Sequence, residues 1–158
     1  MGKKVSLEDR AEVMDVLARY CWHVDEGDAD EWADLWTEDG VFAGVTPQPI
    51  RGREALKAVP GWSLSGGCRH KLVNAVLDYG DNTDEMIVRC YNFVTGWLGD
   101  AKFNSLAVAR YHLVRRGDTW KIKSNQVRMQ MPAGADPNNY PEGFPYPANE
   151  KTTRFPPL

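Results

Sequence analysis

Apolar positions recur at helical spacing near the start of the chain and at strand spacing through its second half. Val13, Val16, Leu17, Tyr20 and Val24 follow the i, i+3, i+4 rule and form one stripe. They predict a helix from about Leu7 to Glu26, with Ser6 as N-cap, Asp9 imitating a capping box, and Gly27 at the end. Asp28 then opens a short second helix that buries Trp32, Leu35 and Trp36, with Glu31 at its third position. Thr37 to Gly40 read as a turn, Val41 to Ala43 as a short strand, and Glu54 to Val59 as a third helix stopped by Pro60 and Gly61.

From Cys68 the period changes. Cys68–Tyr79, Met86–Leu98, Phe103–Arg116 and Thr119–Met131 read as four long strands, separated by short Gly/Asp/Asn turns that make neighbours antiparallel. Strands of that length imply a twisted, curved sheet, and the preceding helices are what it can wrap around. The expectation is an α+β domain with a pocket between sheet and helices. It occupies residues 1–131. Beyond it, residues 132–158 hold seven of the ten prolines, which excludes helix and central strand, so they are expected to be an extension rather than a second domain.

Composition narrows the classes of function. With a formal net charge of −3 and its 19 Lys and Arg scattered, the chain has no basic patch for nucleic acid. No apolar run reaches the roughly 20 residues of a membrane span, and the N-terminus lacks a signal-peptide core, so a cytoplasmic protein is expected. Three cysteines, Cys21, Cys68 and Cys90, read as free thiols. No phosphate-cradling glycine loop or Gly-x-Ser-x-Gly elbow is present, and His23 and His112 stand at no metal-ligand spacing from Cys68 and His70. Neither a metal nor another cofactor is expected.

The candidate chemistry lies in polar residues on apolar faces. Asp25 sits at the margin of the first helix's stripe, in its last turn, where burial and the helix dipole both disfavour a carboxylate and so call for a partner. On the first long strand, period 2 places Cys68, His70, Leu72, Asn74 and Val76 on one face, with Leu72 and Val76 turning that face inward. A carboxylate on one imidazole nitrogen would leave the other free as a base. The bland alternative is a core histidine satisfied by backbone. On the last strand Trp120, Ile122, Ser124, Gln126 and Arg128 share a face if no bulge intervenes, so Arg128 either projects inward to an oxyanion or forms a rim salt bridge. Tyr20 is core packing or an acid for a leaving oxygen. Trp22 projects opposite the stripe and suggests a contact between copies.

The run Tyr20 to Phe42, with Asp25, Gly27-Asp28, Trp32-Ala33-Asp34-Leu35 and Thr37-Glu38-Asp39-Gly40-Val41-Phe42, followed by Gly52-Arg53-Glu54-Ala55-Leu56, resembles the SnoaL-like branch of the NTF2-like superfamily. The resemblance implies a cone: a curved mixed sheet, gaining a strand from the Val41 region, closed by helices. In that branch scytalone dehydratase, the lindane dehydrochlorinase and bile acid 7α-dehydratase use an Asp-His dyad, which corresponds here to Asp25 and His70. Cys68 and Asn74 resemble the dehydrochlorinase strand. Tyr20 and Arg128 resemble an assisting tyrosine and a last-strand arginine of the bile acid enzyme. Gly96 stands where scytalone dehydratase has a second histidine, which argues against that substrate.

The resulting expectation is a cofactor-independent lyase of dehydratase or dehydrohalogenase type. Its substrate would be a small apolar cyclic or aromatic molecule gripped by Trp36, Phe42 and Trp62, with Asn74 and Cys68 nearby. Two alternatives stand beside it: an isomerase or cyclase using the same dyad, and a non-catalytic ligand-binding or assembly domain. The relatives imply a homo-oligomer, trimer or dimer.

Overall fold

The computed structural model describes residues 4–98, 102–130 and 155–158, without the side chains of 102–104 and 130. Helix α1 (Leu7–Glu26) is capped at its start by the Ser6 hydroxyl, which accepts the Asp9 N–H at 3.1 Å. At its end Gly27 takes the left-handed conformation, φ 81°, and the Gly27 and Asp28 N–H groups both return to the His23 carbonyl. A Cβ at Gly27 would stand 2.8 Å from the Leu64 side chain, so close packing reinforces the need for glycine. Val13, Leu17, Tyr20 and Val24 are buried, as the stripe requires.

Helix α2 (Ala29–Asp34) buries Trp32, and β1 (Trp36–Ala43) follows. The Asp28 side chain makes no cap bond; it accepts from His23 Nδ1 at 3.0 Å instead. The expected turn at Thr37–Gly40 lies inside β1. Its residues form an irregularity between the pairings Trp36↔Ile122 and Val41↔Ser124, with the Thr37 hydroxyl donating to Asp39 at 2.8 Å. After β2 (Ile50–Arg51) come α3 (Arg53–Leu56) and α4 (Ala58–Ser65). Helix α4 runs through Pro60 and Gly61, which were expected to stop it. Pro60 is its third residue, inside the first turn, where a missing N–H costs no helical bond.

Strands β3 (Cys68–Tyr79), β4 (Glu85–Gly96), β5 (Lys102–Arg116) and β6 (Thr119–Gln130) form the antiparallel meander. The sheet order is β2-β1-β6-β5-β4-β3, with β1 parallel to β6, so it is mixed and unclosed. Helix α1 packs on its inner face against β3 and β6. This is the α+β architecture expected from the period change, including the extra strand at Val41. Residues 132–154 of the Pro-rich extension lie outside the described residues.

Two bulges set which residues face inward. Val73 pairs with Tyr91 and Val76 with Arg89, so Asn74 and Ala75 together oppose Cys90. On β6, His112 pairs with Ser124 and Leu113 with Ile122, leaving Lys123 as an extra residue. Each bulge reverses the alternation beyond it. The inner face of β6 is therefore Trp120 and Ile122 before the bulge and Asn125, Val127 and Met129 after it. Asn74, Val76 and Arg128 leave the inner face expected of them; Val76 is 50% exposed. Arg128 pairs with Val108, and Val108 with Tyr91, which is 42% exposed on the outer face.

A polar cluster fastens the N-terminal end of α1. The Tyr79 hydroxyl accepts the Ser6 N–H and donates to Asp9, whose carboxylate also takes Arg115; Arg115 lies over the Trp120 ring at 4.4 Å. Burial acts to raise the Asp9 carboxyl, but bonds from Tyr79 and Ser6 and the Arg115 charge outweigh it and hold the group below the ordinary aspartate value. A depressed native value means stability present at neutral pH and lost as the pH falls through that value. Urea unfolding of Asp9→Asn should therefore show lower stability than wild type at neutral pH, by about 1–3 kcal/mol, and a shallower decline toward acid. An equal acid slope in both proteins would refute this assignment.

Candidate active site

The last turn of α1 and the first residues of β3 bring Asp25 and His70 together. Asp25 is 4% exposed. One carboxylate oxygen accepts the His70 backbone N–H at 2.8 Å, and the other meets His70 Nδ1 at 2.6 Å. An ionised carboxylate only accepts, so Nδ1 donates and the neutral ring carries its lone pair on Nε2. No described residue hydrogen-bonds Nε2. The ring is held yet open, its side chain 17% exposed.

Arg69 supports the pair from the opposite face of β3. It donates to the Asp25 carbonyl at 2.9 Å, pairs with Glu26 at 3.1 Å, and lies 5.3 Å from the centre of the Trp97 ring. A cation at the helix C-terminus satisfies a terminal carbonyl and offsets the dipole that made Asp25 unexpected there.

The cone interior is aromatic. Tyr20 lies 5.2 Å from Trp32, 6.2 Å from Trp36 and 5.5 Å from Tyr111, and Trp36 lies 5.9 Å from Phe42, all between ring centres. The Tyr20 hydroxyl accepts from Asn125 Nδ2 at 3.2 Å, and complete burial raises its pKa well above the ordinary tyrosine value, so it stays protonated. Several buried polar atoms on the elements lining this interior have no partner among the described residues: Trp32 Nε1, Trp36 Nε1, Asn92 Oδ1 and Asn125 Oδ1. Such orphans are rare in folded proteins, and their concentration here suits a polar guest or water.

The structure thus joins Asp25 to His70 and places Tyr20, Trp36 and Phe42 in the aromatic interior. Cys68 opens β3 beside them; burial first, and then the Asp25 charge, raise its thiol pKa, with a Ser63 bond opposing, which disfavours the thiolate. Trp62 is 56% exposed on α4, outside the aromatic interior, because its helix continues past Pro60 and turns it to solvent. Asn74 is exposed at the β3 bulge, and Arg128 lies on the outer face, so neither joins the Asp25–His70 pair. Reading the sequence missed Asn125 and Tyr111. The signal for Asn125 was present: Trp120 and Ile122 are even-numbered, Val127 and Met129 odd, and that change of parity marks the bulge.

On the alkaline side of the imidazole titration, long-range proton–nitrogen spectra should show His70 protonated at Nδ1 and bare at Nε2. Asp25→Asn should abolish that preference. The same tautomer in both proteins would mean that Asp25 does not fix it.

A family profile described as SnoaL-like domain matches residues 5–126. No curated protein gives a significant match. Among solved structures, an NTF2-like protein with a cystatin-like fold from Novosphingobium aromaticivorans is 28% identical, covering 78% of this chain and 82% of its own, with a TM-score of 0.70. A Catenulispora acidiphila protein in complex with S-DNPA is 26% identical over 78% of this chain and 95% of its own, with a TM-score of 0.66. A second Novosphingobium aromaticivorans protein, provisionally named a scytalone dehydratase, is 20% identical over 79% of this chain and 86% of its own, with a TM-score of 0.65, a likeness of fold alone.

Proposed function

The chain belongs to the SnoaL-like family, within the NTF2-like fold, and on that footing we propose that it is a cofactor-independent lyase acting on a small cyclic or aromatic molecule. The observation that carries the reading is the double hold of Asp25 on His70, through backbone N–H and Nδ1, which presents Nε2 as a base. His70 Nε2 takes a proton from carbon, the C–H electron pair becomes the new double bond, and the leaving group departs with its own bonding pair. Asp25 stabilises the imidazolium that results. Arg128 takes no part, since it lies across the sheet. Tyr20, kept protonated by burial and held by Asn125, donates a hydrogen bond to the departing oxygen, and the imidazolium returns the proton that makes water of it. The unpartnered tryptophan donors favour an oxygen-bearing substrate.

A second reading has its own observation. The aromatic rings stand close together inside the cone, and a domain whose interior is filled in this way could use the Asp25–His70 pair only to join α1 to β3. The two readings differ in what the pair does to rate. Cyclic β-hydroxy ketones incubated in deuterated buffer should exchange their α-hydrogen and form the enone, with His70→Ala and Asp25→Asn each slower by about a hundredfold or more. Exchange that persists at full rate in both variants sinks the mechanism. A folded wild type that neither exchanges nor eliminates across the panel, while both variants lose stability, favours the structural role.

A further inference from the structure

We propose, resting on the lyase reading of the cone, that Asn92 is a specificity-determining residue: its carboxamide oxygen accepts a hydrogen bond from a ring hydroxyl of the substrate, apart from the leaving group. Strand β4 shows why this residue stands out. Met86, Val88, Cys90, Asn92 and Val94 alternate along it and are all buried, whereas Arg89, Tyr91 and Phe93 between them are exposed. The buried row faces the helices, since Met86, Val88 and Cys90 belong to the same core cluster as Leu17 and Tyr20 of α1. Asn92 is therefore a polar side chain in an apolar row, 7% exposed.

Nothing beside it can satisfy the amide. Its partner on β3 is Leu72 and its partner on β5 is Ala107, and neither side chain carries a polar atom. Along its own strand the nearest residues on the same face are Val94 and Cys90, whose thiol is at best a weak donor. Asn92 Oδ1 is accordingly buried with no hydrogen-bond partner. Asn125, by contrast, commits its amide nitrogen to Tyr20. A buried acceptor left without a donor destabilises the fold, and such a group calls for a reason beyond packing.

The reason lies in where Asn92 stands. His70 pairs with Val94 and Leu72 with Asn92, so the base and the amide are diagonal neighbours on one face, a relation that sets residues roughly 7–8 Å apart. A small ring compound can bridge that separation. The β5 residues along this part of the face, Ala107 and Ala109, are buried and present only a methyl group each. The unpartnered Trp32 and Trp36 N–H groups come from α2 and β1. A guest that satisfies all three groups offers acceptor oxygens to the indoles and a hydroxyl to the asparagine; a hydrocarbon satisfies none of them.

The test compares 2-naphthol with 2-fluoronaphthalene, which keeps the ring system and lacks the donor, by calorimetry and chemical-shift mapping of the full chain at neutral pH. 2-Naphthol should shift the Asn92 side-chain amide and a Trp32 or Trp36 indole N–H, and should bind about tenfold more tightly than the fluoro compound. Asn92→Leu should abolish that preference and, having exchanged an unpaired amide for an apolar side chain, should melt no lower than wild type. Asn92→Ala replaces it if the leucine variant loses its circular dichroism. The proposal falls if the preference survives in the variant, if 2-naphthol binds without moving the Asn92 amide, or if nothing binds at about 5 mM, a concentration that detects even weak binding. It falls also if both variants melt well below wild type, since the amide would then be bonded within the protein. None of these readouts needs turnover. Elimination that depends on His70, with a hydroxyl preference indifferent to Asn92, would remove this inference alone; a preference carried by Asn92 in a protein that neither exchanges nor eliminates would remove the lyase alone.

Discussion

Asp25 makes two bonds to one residue, and much of the fold's geometry follows from them. A carboxylate in the last turn of a helix opposes the dipole and, once buried, needs a hydrogen-bond donor on each oxygen. His70 provides both, one from backbone and one from the ring. The backbone bond fixes where β3 starts relative to α1, and the ring bond fixes the imidazole's tautomer and plane. Neither could be kept if the strand slipped by one residue, because the ring would turn to the other face. Thus the contact that gives the site its chemistry is also a register lock.

The same helix is fastened at its other end by the same strand. Asp9, in the first turn of α1, takes the hydroxyl of Tyr79, the last residue of β3. Sixteen helical residues separate the two carboxylates, roughly 24 Å at the usual rise. Nine strand residues separate His70 from Tyr79, roughly 30 Å if regular. The bulge at Asn74 and Ala75 places two strand residues opposite one and shortens the span, in the direction that helps the two elements match. Its unusual backbone conformation at Asn74, φ 55°, therefore has a structural use.

Much of this was legible in the chain. The boundaries of α1 and the meander follow from apolar period and turn residues, and the pairing of Asp25 with His70 followed from two polar groups on apolar faces together with the family resemblance. What was not legible came from alternation counted without bulges. Period 2 carried through Asn74 and through Ser124 put Asn74 and Arg128 inside and Asn125 outside, each the reverse of what the register produces. Pro60 misled for a different reason: its meaning depends on its position within a helix, and the start of α4 carries no side-chain cap to announce it. Trp62 was misplaced with it.

The bulges also explain how one sheet can serve two environments. An unbulged β6 would put Gln126 and Arg128 on the same face as Trp120 and Ile122, and Val127 and Met129 on the face of Lys121. With the phase reversed midway, the wide part of the inner face receives Asn125 beside Tyr20, where a hydroxyl needs a partner, while Arg128 and Asn74 pass to the outer face with Arg89 and Arg110. The outward turn of Arg128 keeps its guanidinium away from the Asp25 carboxylate, where it would compete with Nδ1. What the inner face holds beside Asn125 is instead a neutral hydroxyl, that of Tyr20, which burial keeps protonated.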